Sequence, residues 1–285
     1  MNWKAVLAIL TCNVVLMSAS YTMLIPFLPM YLINELGVTS DNVNMWSGII
    51  FSVTFIVSAV MAPIWGKLSD KKGRKPMAVR AGVGLAITYF ICGIVSSPIQ
   101  LMFARILQGF AAGLWPAELA IMSSYAPKEK LGFCMGVMQG ALTAGGVIGP
   151  LLGGVLASVF GMRVSFFISA GALALITLIT LIFIKEPPRE AKTPEQLALA
   201  KEAEKVNLLK IPMIRRMLEC AVVIQMAILI LQPILTLYVA ELHHSMDNVI
   251  MLSGMVFSLG GFAGAISARL WCRYGESDGF FRTMC

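Results

Sequence analysis

Apolar residues run along this chain in long blocks separated by short polar breaks. The blocks cover roughly residues 5–33, 45–65, 77–97, 99–124, 132–159, 163–184, 216–240 and 249–270. Each is long enough for an α-helix to cross a hydrocarbon core of roughly 30 Å, which takes about 20 residues. The period-two alternation of a membrane β-barrel, with strands of about ten residues, is absent. The pattern therefore predicts eight transmembrane helices in an all-α polytopic membrane protein. Pro26 and Pro29 break the end of the first block, and Pro98 separates the third from the fourth with almost no loop. No small-residue cleavage pattern follows the first block, so it reads as an uncleaved helix and not as a signal peptide.

Composition agrees with this reading. Hydrophobic residues make up 58% of the chain and charged residues 13%, whereas a soluble domain is about one quarter charged. The net charge of +7 raises a nucleic-acid reading, which the distribution rejects. With the N-terminus inside, 20 of the 22 lysines and arginines fall on the cytoplasmic side, with Arg163 outside and Arg105 within a span. This is the positive-inside pattern. The six cysteines show no paired spacing, and most lie in apolar runs as small hydrophobic residues. His243 and His244 have no acidic or cysteine cluster around them, so no metal site is expected.

The longest hydrophilic stretch, Lys185 to Lys210, opens on Pro187 and Pro188 and then turns charged and helix-prone. It predicts a six-helix bundle over 1–185, a cytoplasmic linker over 186–212, and helices 7 and 8 of a second bundle over 213–285. An internal repeat supports two bundles. Ser47, Gly48, Phe51, Ser52, Ala59, Ala62, Trp65 and Gly73 match Ser253, Gly254, Phe257, Ser258, Ala265, Ala268, Trp271 and Gly279 at an offset of 206. Parallel repeats of this kind occur in secondary transporters.

Three patterns carry candidate chemistry. The first is the loop Gly66–Lys75, with five basic residues and Asp70 in ten positions. Gly66 and Gly73 suit tight turns, with positive φ suited to Gly73. Asp70 suits pairing with Arg74 or capping of a nearby helix N-terminus; a purely topogenic loop is the alternative. The second is Arg105 with Gln108, Gly109, Ala112 and Gly113 in the fourth block. An arginine there must be paired, face water or snorkel to the outer surface. The third is Gly136, Gly145, Gly149, Pro150, Gly153 and Gly154 in the fifth block. Small residues four apart let helix backbones approach, and the Gly-Pro step suits a kink.

Glu118, in the inner half of the fourth block, is the sharpest single candidate. A carboxylate at that depth is costly and is expected to face a cavity, as a proton carrier or an attractor of cations. The alternative is a wetted residue at the inner mouth. Asn13, Tyr21, Trp115, Gln139, Gln225 and Gln232 are further candidates for lining a cavity, or for bonding across helices.

The ordered residues Gly66, Leu68, Asp70, Gly73, Arg74 and Lys75 resemble the loop signature of the major facilitator superfamily. Arg105, Gln108, Gly109, Ala112 and Gly113 are similar to its fourth-helix motif. The glycines of the fifth block resemble the signature of its drug:proton antiporters. Asn44–Phe55 and Pro233–Leu242 look like the MdtG-type multidrug efflux proteins of bacteria. The resemblance implies a switch role for the first loop and proton coupling at Arg105. It further implies efflux of a small lipophilic substrate across the bacterial inner membrane by alternating access. A proton gradient would supply the energy, with no cofactor, no ATP and no nucleic acid. Helices 9–12 of the family plan are absent, and the second loop copy, Cys272–Phe281, has lost most of its basic pattern. A transport-inactive fragment is therefore the competing expectation and an uptake symporter a lesser one. A membrane-embedded enzyme is not supported, since no nucleophile–base set is visible.

Overall fold

A computed structural model describes residues 2–186 and 212–243, together with the helical positions 252, 255, 256 and 259. The described residues form α1 (Trp3–Thr22), α2 (Leu28–Asn34), α3 (Ser40–Lys72), α4 (Arg74–Ile94), α5 (Pro98–Ala111), α6 (Leu114–Tyr125), α7 (Leu131–Phe160), α8 (Met162–Phe183) and α9 (Pro212–His243). One 3-10 turn, Lys128–Lys130, precedes α7. The first six apolar blocks correspond to α1 with α2, α3, α4, α5 with α6, α7 and α8, and the seventh to α9. The linker beyond Glu186, most of the eighth block with the second copy of the repeat, and the second loop copy at Cys272–Phe281 lie outside the described residues.

Local chemistry sets the helix ends. Asn2 caps α1 by accepting the Lys4 amide at 3.1 Å. At α5, Ser97 Oγ accepts the Gln100 amide at 3.3 Å while Gln100 Oε1 accepts the Ser96 amide at 2.9 Å. This reciprocal arrangement works like a capping box, and Pro98 sits where its missing N–H costs nothing. The proline pair does divide the first block, with Pro29 in the first turn of α2.

Helices pair along their lengths: α1 with α7, α4 with α8, and α3 with α5. The buried side chains include Phe27, Tyr31, Met138 and Phe166. Tyr31 stacks edge-on against Phe166 at 5.1 Å and donates its hydroxyl to the Cys92 carbonyl at 2.8 Å. Ile56, Val60, Phe103, Phe133, Val159 and Phe183 are exposed, an arrangement suited to hydrocarbon as solvent and not to water. Among the described residues, five helices are long and apolar enough to cross a membrane, including α3, α7 and α8.

The glycine pattern of α7 forms a seam with α1. A Cβ added at Gly145 would lie 2.5 Å from the Val15 carbonyl oxygen and 2.7 Å from Ser18 Cβ. One at Gly149 would strike Thr22 Oγ1 and the Ala19 carbonyl, and one at Gly153 the Met23 carbonyl. Ser18 Oγ closes the seam by donating to the Leu142 carbonyl at 2.6 Å. Gly154 and Pro150 are buried, but Gly136 has open space around it and takes no part. The helix runs unbroken through Pro150 from Leu131 to Phe160.

Candidate functional site: a switch loop and two buried polar clusters

The loop Gly66–Lys75 is mostly helix. Gly66 lies inside α3 and makes no turn, contrary to the sequence expectation. The turn is confined to Gly73, whose φ of 113° and ψ of 157° are open essentially to glycine alone. Gly73→Ala is expected to cost roughly 1–3 kcal/mol through backbone strain, and its Cβ would also meet the Glu186 carboxylate. A lowered thermal unfolding midpoint of the purified variant, against an unchanged one for Gly66→Ala, checks this.

The expected pairing of Asp70 with Arg74 is not made. Arg74 donates instead to the Ala120 carbonyl, to Ser123 Oγ at 3.1 Å and to Ser124 Oγ, all at the C-terminal end of α6. A cation there complements the helix dipole. Nor does Asp70 cap α4. Glu186 does so, with Oε1 accepting the Arg74 amide at 2.8 Å and Oε2 the Lys75 amide at 2.9 Å. Lys75 Nζ donates to the Leu181 carbonyl of α8 at 2.8 Å, and the Tyr125 hydroxyl to the Lys185 carbonyl at 2.8 Å. The loop is thus tied to the ends of both α6 and α8. Asp70 lines an open cavity of about 420 Å³ together with Trp65, Arg74, Arg80 and Gly113.

The fourth block is two helices, where the sequence reading had one. Ala112 adopts φ −54° and ψ 163°, and Gly113 is left-handed at φ 117°. Arg105 lies in α5, on the outer side of this break, and Glu118 lies in α6, on its inner side.

Arg105 does not snorkel. Its side chain is 7% exposed, and Nη1 donates to Gln108 Oε1 at 2.9 Å. Tyr21 and Tyr89 lie within Coulombic range of it. Among the described residues it has no carboxylate partner, and its Nε and the Gln108 Nε2 are buried donors without acceptors. The outer cluster is therefore a buried cation bonded to one amide, with Tyr21 and Tyr89 in its field.

The inner cluster is Glu118, Asn13 and Thr180. Glu118 is fully enclosed at 0% exposure and is not wetted at a mouth, nor does it line an open cavity. Asn13 faces it from α1. Asn13 Nδ2 donates to Thr180 Oγ1 of α8 at 2.8 Å, while Asn13 Oδ1 and both Glu118 oxygens have no partner among the described residues. A protonated carboxyl has a donor to offer Asn13 Oδ1, and a carboxylate is able to accept the second Nδ2 proton of the same amide. The site is chemically suited to taking up and releasing a proton.

Apart from Asn13 and Tyr21, the other candidates are dispersed. Tyr21 and Trp115 are half-buried, and Gln139 and Gln225 are exposed on α7 and α9. The side chain of Gln232 lies outside the described residues. The sequence reading missed Thr180, Glu186 and the Arg80–Trp65 pair. A carboxylate directly after α8 and a tryptophan beside the basic loop were the available signals.

Comparison with known proteins places these features in context. Over 280 residues, 98% of the chain, it is 37% identical to the multidrug resistance protein MdtG of Enterobacter lignolyticus and of an Escherichia coli strain. It spans 66% and 68% of the lengths of those two relatives. Among solved structures, a bacterial homologue of the lysosomal transporter Spinster, inward-facing and unoccupied, matches with a TM-score of 0.72. Sequence identity is 19%, with 96% of this chain and 63% of that one covered. The nucleoside transporter NupG matches with the same TM-score of 0.72 at 15% identity, covering 96% of this chain and 68% of that one. These likenesses establish the fold, and the description Major Facilitator Superfamily matches residues 10–277. The chain belongs to the major facilitator superfamily.

Proposed function

We propose that this chain serves proton-coupled export of small lipophilic compounds across the bacterial inner membrane by alternating access. The observation that carries the reading is the 37% identity, along 98% of the chain, to proteins named for multidrug resistance. The bundle over 1–185 would hold the coupling residues, the stretch 186–212 would link it to 213–285, and the substrate would bind between the two. Glu118 would carry the proton, with Arg105 and Gln108 as the cationic partner cluster across the break. Enclosure of Glu118 among helices supports this role, because a buried carboxyl binds and loses its proton only with a change in its surroundings. The proton gradient would supply the energy.

The test is accumulation of a fluorescent lipophilic drug by efflux-deficient cells expressing the chain, with and without an uncoupler. Exclusion that the uncoupler abolishes is the expected result. Absence of exclusion, with the protein present in the membrane, would favour the competing reading in which this chain alone does not transport.

A further inference from the structure

We propose that Thr180 is a positioning residue for the Glu118 proton: by holding Asn13 it fixes which polar groups the carboxyl meets. The proposal rests on the reading of Glu118 as the proton carrier.

An asparagine side chain has two N–H donors and one carbonyl acceptor to offer. Asn13, on α1, is 1% exposed and spends one N–H on Thr180 Oγ1 of α8 at 2.8 Å. That bond sets the direction of the amide. It leaves Oδ1 and the second N–H to face Glu118 of α6, whose two oxygens have no hydrogen-bond partner among the described residues. One acceptor beside one donor matches a protonated carboxyl, which has one O–H to give and one oxygen to receive. An ionised carboxylate has two accepting oxygens and no donor. Turning both N–H groups of Asn13 to it means breaking the bond that Thr180 now accepts.

Thr180 is placed for this task. It is 2% exposed. One turn earlier, Thr177 spends its hydroxyl on the Leu173 carbonyl of its own helix at 2.6 Å. Thr180 instead meets α1. The charged and titratable side chains on the helices around Glu118 are engaged elsewhere. Arg74, Lys75 and Arg80 of α4 donate to the Ala120, Leu181 and Phe110 carbonyls. Tyr21 of α1, with Tyr89 and Cys92 of α4, lies in the field of Arg105. Lys4 of α1 sits over the Trp3 ring, and Arg163 of α8 pairs with Glu35. Neither Cys12 of α1 nor Cys134 of α7 acts on Glu118, and Asn13 does.

Infrared titration of the full chain in lipid nanodiscs tests the role. The Glu118 carboxyl band is the one missing from Glu118→Gln, and its loss with rising pH gives a midpoint. In Thr180→Val, which keeps the shape and removes the hydroxyl, that midpoint is expected to shift by about one pH unit, the scale of one buried hydrogen bond. Thr180→Ser, which keeps the hydroxyl and loses a methyl, should leave it in place. A packing role predicts the reverse order, since valine fills the space and serine leaves a gap. In an Asn13→Leu background, Thr180→Val should add no further shift, because Thr180 acts through the amide. Thr180→Ala carries the test if the valine variant fails to accumulate. An unmoved midpoint without the hydroxyl, an equal shift in Thr180→Ser, or additive shifts in the double variant would overturn the role. A Glu118 band that no pH removes would overturn this role and the proton-carrier reading together. If the band titrates but the unmodified chain exports nothing, the export reading fails, and the midpoints still decide the role of Thr180.

Discussion

Replacing Glu118 by glutamine is expected to abolish uncoupler-sensitive export while leaving the amount of folded protein in the membrane unchanged or higher. The two halves of this expectation have separate causes. Glu118 is wholly enclosed, and neither carboxylate oxygen has a hydrogen-bond partner among the described residues. An ionised group in such a place is strongly disfavoured, whereas a neutral amide of the same shape is less costly and brings its own donor. Folding therefore loses nothing by the change. Coupling loses the only titratable group of the inner cluster. The drop in export should be at least about tenfold, corresponding to ~1.4 kcal/mol in the rate-limiting step. Drug accumulation should become independent of both the uncoupler and external pH. An unchanged pH dependence in Glu118→Gln would reject the assignment and turn attention to the outer cluster around Arg105.

Gly149→Leu is expected to have the opposite character, a loss of folded protein with no change in any titrating group. The Cβ alone would strike Thr22 Oγ1 and the Ala19 carbonyl. The threonine side chain has room to rotate, but the carbonyl belongs to the α1 backbone and moves only with the helix. Overpacking typically costs 1–3 kcal/mol, and a clash with backbone belongs at about the top of that range. Gly136→Ala, on the same helix but before the seam, has nothing within 4 Å of its added Cβ. It should be neutral or slightly stabilising, by roughly 0–1 kcal/mol, because alanine is the better helix former. Thermal unfolding of the two detergent-solubilised variants, alongside their membrane abundance, separates these outcomes. Equal stability of both would mean that the seam tolerates a gap between α1 and α7.

The spans and the uneven placement of basic residues were legible in the sequence because hydropathy and charge act locally. The first block breaks near its prolines, and Gly145, Gly149 and Gly153 do meet another backbone, as their spacing implied, although Gly136 does not. What the sequence hid was partner identity. Arg74 was expected to find the nearest opposite charge, Asp70, four residues away. It finds the Ala120 carbonyl and the Ser123 and Ser124 hydroxyls, three acceptors at one end of α6 that only the fold brings near. The division of the fourth block was missed for a related reason. Hydropathy is continuous across Phe110–Trp115, and the clue was conformational: Gly113 followed three positions later by Pro116, a pairing that suits a helix end and a fresh start. Gly66 erred the other way, since a glycine beside charges looked like a turn and is an ordinary helical residue. Glu118 and Arg105 were singled out by depth alone. Their different surroundings, an amide and a hydroxyl for one and tyrosines and an amide for the other, needed the packing of four helices to appear.

The glycine seam also limits how this bundle is able to deform. Three glycines spaced four apart in α7 receive the backbone of α1, and a slide by one residue would bring Ile148 or Leu152 toward the positions that only a hydrogen atom now fills. The two helices are therefore in registry like meshed teeth, with the next equivalent setting one glycine interval away, about 6 Å along the axis. Small thermal excursions do not reach that far. The α1–α7 pair is thereby held to a single register, a fixed edge against which the rest of the bundle packs.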